Sequence, residues 1–429
     1  MAGPTLESLL DNHMNTMTKT NDRVGSNPIR AVAVLGAGMM GSGIAYCVAA
    51  AGIPVILLDR SQALASAGKS YSERLVARAL ARKKMDHATG EALLSLITTT
   101  ADYDALQDCD LVIEAVFEDF NIKTDVIHKS EAALGDSAIF ATNTSRLRIT
   151  ELAKASIRPG QFIGLHFCSP VDKMPVVEVI PGDETTQATL SIALEFLEEI
   201  KKTAIVVNDS WGFYLSRVLE TYTERSVMLL ADGVDPELIE SAGRDAGMPT
   251  GPLEIQDEVS INTLRSIAHT EIKVAGEGHE PPLCLAVWDK MVDQLGRPGR
   301  KGGGGFYDYP EGEKKHLWKG LQDHFPRRSE QPEIEDLKKC LLYCQSLEAV
   351  RCLEEDVIAS ASDADRCAVV GWNFPAATGG PLALIDQVGV AKFVDECRSL
   401  AQRYGKKYEP PALLLEMARN GVTFYPPSS

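Results

Sequence analysis

Apolar residues follow two different rhythms along this chain, and the change comes near residue 208. Up to that point they gather in short aliphatic runs, "IRAVAVL", "PVILLD", "DLVIEAVF", "AIFATN", "FIGLHF", "VVEVI" and "TAIVVN", separated by turn residues and helix-like stretches. Unbroken apolar runs read as strands buried on both faces. The first two, with "SGIAYCVAAAG" between them, make a βαβ unit, which calls for a parallel sheet. Beyond 208 the spacing becomes three and four, as in "GFYLSRVLETYTERSVMLLADG", which ends on a glycine stop. The pattern predicts an α/β domain over 29–207 followed by helices. A repeat divides the helical part. "GPLEIQDEV" (Gly251 to Val259) and "GPLALIDQV" (Gly380 to Val388) share Gly-Pro-Leu and an Asp at one offset. Each follows a helix and an acidic-hydrophobic turn, "LLADGVDPELI" and "CLEEDVIASASDAD". Two related helical domains are expected, over 208–310 and 336–429, joined by a charged, proline-broken linker at 311–335. Residues 1–28 contain acids and lack a hydrophobic segment, so they read as an arm with one helical turn at Leu6 to Leu10 and not as a secretory signal.

Composition narrows the function. At 429 residues the chain is long enough for two or three domains, and it has no apolar run of the ~18–20 residues that cross a bilayer. Sixty acidic against 43 basic residues give a net charge of -17. That balance argues against nucleic acid as a general partner and points to a small molecule. The nine cysteines show no CxxC pair and no zinc-ligand spacing. They read as reduced thiols in a cytoplasmic compartment, with no metal site expected.

Two stretches carry chemistry. "GAGMMG" places Gly36, Gly38 and Gly41 around Met39 and Met40 in GxGxxG spacing, after a strand and at the start of a helix. Asp59 closes the next strand 18 residues after Gly41. This is the context of a dinucleotide site in a Rossmann-type domain. Gly36 permits the tight turn, Gly38 lets backbone approach a pyrophosphate, Gly41 lets helix and strand pack closely, and the helix N-terminus attracts the phosphates. An acid at position 59 favours the ribose hydroxyls of NAD over the extra phosphate of NADP, a choice that Arg60 weakens. The second stretch, "GLHFCSPVDKMPVVEV", sets His166 and Glu178 among apolar residues. A core histidine bonded to a backbone carbonyl is the ordinary reading of the first; a general base oriented by a carboxylate is the other.

The motifs "VLGAGMMGSGIAY", "VIEAVFED", "ATNTSRLRITELA", "GLHFCSPVDKMPVVEVI", "GFYLSR" and "GMPTGPLEIQDEV" together resemble the L-3-hydroxyacyl-CoA dehydrogenases of fatty-acid β-oxidation. The likeness runs from Ile29 through the duplicated helical part. In that respect the chain looks like the dehydrogenase half of the large multifunctional β-oxidation subunits, without their enoyl-CoA hydratase domain. The resemblance implies NAD as cofactor, acyl-CoA as substrate, and a second copy or other β-oxidation enzymes as partners. It implies His166 as catalytic base, Glu178 as its orienting acid, and Ser145 as a hydroxyl that contacts substrate and cofactor. It also implies Glu118 and Lys123 near the nicotinamide half of NAD, and Ser169 beside the cofactor. Three positions depart from the family: Ser169 and Ser216 stand where asparagine is usual, and Val370 where some relatives have tyrosine. Ser216 falls where the family touches substrate. Lys83, in the basic segment "RLVARALARKK", falls where the family receives the phosphates of CoA, although a solvated helix face explains it as well. Two other readings stay open: an NAD-binding relative with little turnover, and a dehydrogenase of another hydroxy acid or sugar nucleotide.

Overall fold

A computed structural model describes residues 29–275 and 281–426. The arm, with its expected turn at Leu6 to Leu10, lies outside the described residues. Eight strands form the N-terminal sheet: β1 (Val32–Leu35), β2 (Val55–Leu58), β3 (Ile97–Thr100), β4 (Leu111–Glu114), β5 (Ile139–Thr142), β6 (Phe162–Phe167), β7 (Val176–Pro181) and β8 (Thr203–Val206). Their order is β3-β2-β1-β4-β5-β6-β7-β8. The reversal of strand order between β1 and β4 opens the crevice where this architecture binds nucleotides.

The runs read as strands β1, β2 and β4 to β8 form the sheet, and β1, β4 and β5 are buried at every position. Two features differ from the sequence reading. The strand β3, "ITTT", sits at the sheet edge with one buried residue of its four. An edge strand needs little apolar surface, so no aliphatic run marks it. The sheet is also not parallel throughout, because β7 runs antiparallel to β6. The connection 168–175 is too short for the helical crossover that parallel strands require, so the chain turns back on itself.

After β8 the chain is helical. The helix Tyr214–Ala231 buries Leu215, Val218, Tyr222 and Leu229 on one stripe. It packs along Ile334–Glu354, whose stripe includes Leu337, Leu341, Cys344 and Leu347. One continuous apolar core joins both helical regions and one face of the sheet. The segment expected as a linker holds His316–Leu317, paired antiparallel to Tyr307–Asp308, and the turn Leu321–His324. Leu321 and Phe325 are buried there, so packing anchors this charged stretch. All nine cysteines are buried and unpaired, and among the described residues no helix is long and apolar enough to cross a membrane.

Candidate active site

The antiparallel turn at β6 and β7 has a chemical consequence. Its register places His166 directly opposite Glu178, so two residues twelve apart in sequence become cross-strand neighbours. His166 Nδ1 lies 2.6 Å from Glu178 Oε2, with the histidine 7% and the glutamate 0% exposed. A carboxylate can only accept, so Nδ1 donates this bond, and in the neutral imidazole that leaves the lone pair on Nε2. The other carboxylate oxygen, Oε1, accepts from the Leu215 amide at 2.8 Å. The helix Tyr214–Ala231 has no side-chain cap at Phe213, and Glu178 fills that role from the sheet. The N-terminal end of a helix favours a negative charge, and Glu178 sits there as the acceptor of its free amide. The Phe213 ring lies 5.9 Å from the imidazole and walls that side.

A second polar cluster lies along the ends of β4 and β5. Glu118 accepts from the Thr144 hydroxyl at 2.5 Å and from the Ser145 amide at 3.0 Å, and Lys123 Nζ stands 3.2 Å from it. Burial penalises the Glu118 charge, yet Lys123 and the Thr144 hydroxyl hold its carboxyl below the ordinary range. Lys123 is 1% exposed and also donates to both oxygens of Glu114, at 2.8 and 3.0 Å. Burial opposes its charge, but Glu114 and Glu118 keep its ammonium above the ordinary range. Lys123 therefore lies beneath the site, and Glu118 is the member of this cluster that reaches the surface.

Ser145 is half-buried, and its position is fixed through its amide by Glu118. The neighbouring Asn143 accepts from the Phe167 amide at 2.8 Å, which ties the Ser145 loop to the end of the His166 strand. Neither Glu114 nor Asn143 was singled out in the sequence. The available signal was a polar residue closing an apolar run, "DLVIE" and "IFATN".

The glycine-rich turn has the shape the motif requires. Gly36 has φ +93°, and a Cβ there would lie 2.6 Å from the Ala115 carbonyl oxygen. A Cβ on Gly41 would come within 1.8 Å of the Gly36 oxygen, whereas one on Gly38 would meet nothing within 4 Å. The open side at Gly38 and the uncapped first turn of Met39–Ala50 leave room and N–H donors for a pyrophosphate. Asp59 follows β2, and its Oδ2 accepts from the Ala37 amide at 2.7 Å. The residues present thus fit a dinucleotide. Met39 is exposed at this turn, with Ser169 Oγ 3.6 Å from its sulfur; Met40 is half-buried beside it. Lys301 Nζ comes within 2.8 Å of the same sulfur. That lysine arrives from 262 residues away and brings a cation over the turn; nothing local in "GRKGGGG" announces it.

Ser216 lies one residue beyond Leu215, half-buried, in the wall of a cavity that also touches Arg146 and Trp211. Val370 is buried among the helices. Lys83 is exposed with Lys84 and His87 around a shallow pocket, and none of the hydrogen bonds of the site reaches it. Among the described residues no group of three His, Cys, Asp or Glu is placed to hold a metal.

Two family models match this chain: "3-hydroxyacyl-CoA dehydrogenase, NAD binding domain" over residues 31–210 and "3-hydroxyacyl-CoA dehydrogenase, C-terminal domain" over 212–309. A "Fatty acid oxidation complex subunit alpha" of Shewanella loihica is 38% identical over 407 residues, 94% of this chain and 57% of that protein. The chain spans little more than half the length of such relatives. A crystal structure of 3-hydroxybutyryl-CoA dehydrogenase from Escherichia coli superimposes with a TM-score of 0.76 at 25% identity, covering 92% of this chain and 99% of the other. An (S)-3-hydroxybutyryl-CoA dehydrogenase from Ralstonia eutropha is 31% identical, with a TM-score of 0.60 over 66% of this chain and 100% of its own.

Proposed function

We propose that this chain, which belongs to the 3-hydroxyacyl-CoA dehydrogenase family, oxidises an L-3-hydroxyacyl-CoA to the 3-ketoacyl-CoA with NAD as hydride acceptor. The observation that carries the reading is the buried cross-strand contact between His166 Nδ1 and Glu178 at 2.6 Å. Nε2 of His166 takes the proton of the substrate 3-hydroxyl as hydride leaves the same carbon. Glu178 then faces an imidazolium, which its charge stabilises and its bond keeps in orientation. Bound NAD supplies the acceptor for the hydride. Ser145 contributes a hydroxyl at the edge of the site, Glu118 fixes the Ser145 loop, and Ser216 offers a donor to the substrate oxygens. Asp59 selects NAD through the ribose, and Gly36, Gly38 and Gly41 seat the pyrophosphate with Lys301 above. Lys83 remains the candidate contact for the CoA phosphates.

The boundaries 29–207, 208–310 and 336–429 are proposed as the domain division. Action in the cytoplasm beside other β-oxidation enzymes is part of the same reading; unpaired buried thiols and relatives named as subunits of a fatty acid oxidation complex support it. The test is reduction of acetoacetyl-CoA followed by NADH absorbance. His166→Gln should lower kcat by roughly 10²- to 10⁴-fold while coenzyme binding, read by NADH fluorescence, stays intact. Turnover near that of wild type in this variant would sink the assignment.

A further inference from the structure

The helix Ala361–Trp372 belongs to the second helical region, yet its last turn touches both elements that hold Glu178. The Tyr214 ring packs against Trp372, with centroids 6.0 Å apart. Gly371 is buried, and a Cβ there would stand 3.1 Å from Leu215 Cδ1 and 3.9 Å from Val176 Cβ. Val176 lies two residues before Glu178, on the same face of β7. Cys367, one helical turn before Gly371, is close enough for the charge of Glu178 to add to the large rise that burial gives its thiol.

Glu178 is held on two sides, by His166 Nδ1 at 2.6 Å and by the Leu215 amide at 2.8 Å. The amide side is the adjustable one, because the helix Tyr214–Ala231 has no side-chain cap of its own to fix its first turn. The glycine side is fixed. The Trp372 indole donates to Gln345 Oε1 at 2.9 Å in the core, and Asp365 on the same helix accepts from the amides of Leu382 and Ala383 at 2.7 and 2.9 Å. Gly371 has helical backbone geometry, not the positive φ that calls for glycine, and glycine costs a helix ~1 kcal/mol against alanine. Its use at this point is space. Carbon atoms pack at ~3.5–4.0 Å, so a methyl group at 3.1 Å from Leu215 Cδ1 requires that side chain to give way by about half an ångström.

We propose that Gly371 is a positioning residue for the proton transfer: its bare backbone lets Leu215 seat against the last turn of the helix Ala361–Trp372, and this seat sets the amide that holds Glu178 against His166. The proposal rests on the dehydrogenase reading and deepens it by giving the second helical region a part in the reacting geometry. The test is steady-state reduction of acetoacetyl-CoA with NADH, beside thermal melts and NADH fluorescence, for Gly371→Ala, Gly371→Val, and Gly371→Val with Leu215→Ala. Alanine favours the helix, so the first variant should melt within a few degrees of wild type. Its kcat should nevertheless fall by roughly 3- to 10-fold, the scale of a misplacement of half an ångström, while the KM for NADH and the fluorescence titration stay unchanged. Gly371→Val should lose more, and Leu215→Ala, which keeps the amide and vacates the space, should return most of that loss. Wild-type kcat in the folded single variants overturns the proposal. So does a loss that Leu215→Ala fails to relieve, or one carried in the KM for NADH and not in kcat; if valine prevents folding, the alanine variant alone decides. Turnover by the wild-type protein in those cases leaves the dehydrogenase reading standing, and absence of that turnover overturns both.

Discussion

The two helical regions repeat one hydrogen-bonding device and differ in the charge it carries. In the first, Glu240 accepts from the Leu253 amide of "GPLE" at 2.6 Å and from the Tyr307 hydroxyl at 2.6 Å; Asp257 accepts from the amides of Phe306 and Tyr307, both at 2.8 Å. In the second, Asp365 accepts from the Leu382 amide of "GPLA" at 2.7 Å and from the Tyr425 hydroxyl at 2.7 Å; Asp386 accepts from the amides of Phe424 and Tyr425 at 3.1 and 2.9 Å. Each Gly-Pro-Leu thus opens a short helix on a buried carboxylate, and each Phe-Tyr returns to close it. The surroundings differ. Burial raises both carboxyls, Glu240 in spite of Arg244 at 2.8 Å and Asp365 up to about 7, and among the described residues no guanidinium pairs with Asp365. The first region also sends the loop with Lys301 across to the glycine-rich turn. Its counterpart before Phe424 is the short "NGV", with no such lysine. Both copies share the backbone device, while the ion pair with Arg244 and the contact of Lys301 with Met39 occur in the first.

Substitution of the paired glycines should break this symmetry most strongly. A Cβ on Gly380 would lie 2.4 Å from Asp365 Cβ, at a φ of +129°. The nearest atoms to a Cβ on Gly251 would be the end of the Glu240 side chain, with Oε2 at 1.8 Å, and no positive φ adds strain there. Gly380→Ala should therefore cost roughly 3–5 kcal/mol of stability in urea melts, against roughly 1–3 kcal/mol for Gly251→Ala. Equal losses would show that backbone strain at Gly380 does not distinguish the copies.

The charge difference is read from pH. An aspartate has a pKa of roughly 3.9 in the unfolded chain, so the folded protein binds the extra proton between that value and about 7. The stability this group contributes is fully present below roughly pH 4, falls as pH rises to about 7, and is flat above. Asp365→Asn should remove a decline on the order of 4 kcal/mol from that window. Asp257, raised to about 6 by burial, leaves a smaller slope of the same sign. A variant with the slope of wild type would place the titration elsewhere.

The smallest effect separates cofactor from support. Lys301→Met should raise the KM for NAD by roughly 3- to 10-fold, about the 1 kcal/mol of an exposed charge pairing, and leave the melting temperature unmoved. A shift in melting temperature without a change in KM would make Lys301 a packing residue.

The sequence by itself determined what depends on local rhythm. Short β-branched aliphatic runs bounded by turn residues read as buried strands, three-and-four spacing reads as helices that cover a core, and GxGxxG followed by Asp59 marks a turn whose geometry lies within the motif. The same locality marked His166 and Glu178, because an ionisable residue in a strand-like apolar run stands out wherever the strand pairs. Tertiary structure alone decided which distant segments meet. The short connection that makes β7 antiparallel sets the 166–178 register, and edge placement lets the polar β3 exist. The turn from β4 into the helix Phe120–Glu131 sinks Lys123 between Glu114 and Glu118, and long-range folding carries Lys301 to Met39 and sets Arg146 against Glu220. Periodicity tells a residue which face it occupies, whereas its partner across that face depends on the packing of segments far apart in the chain.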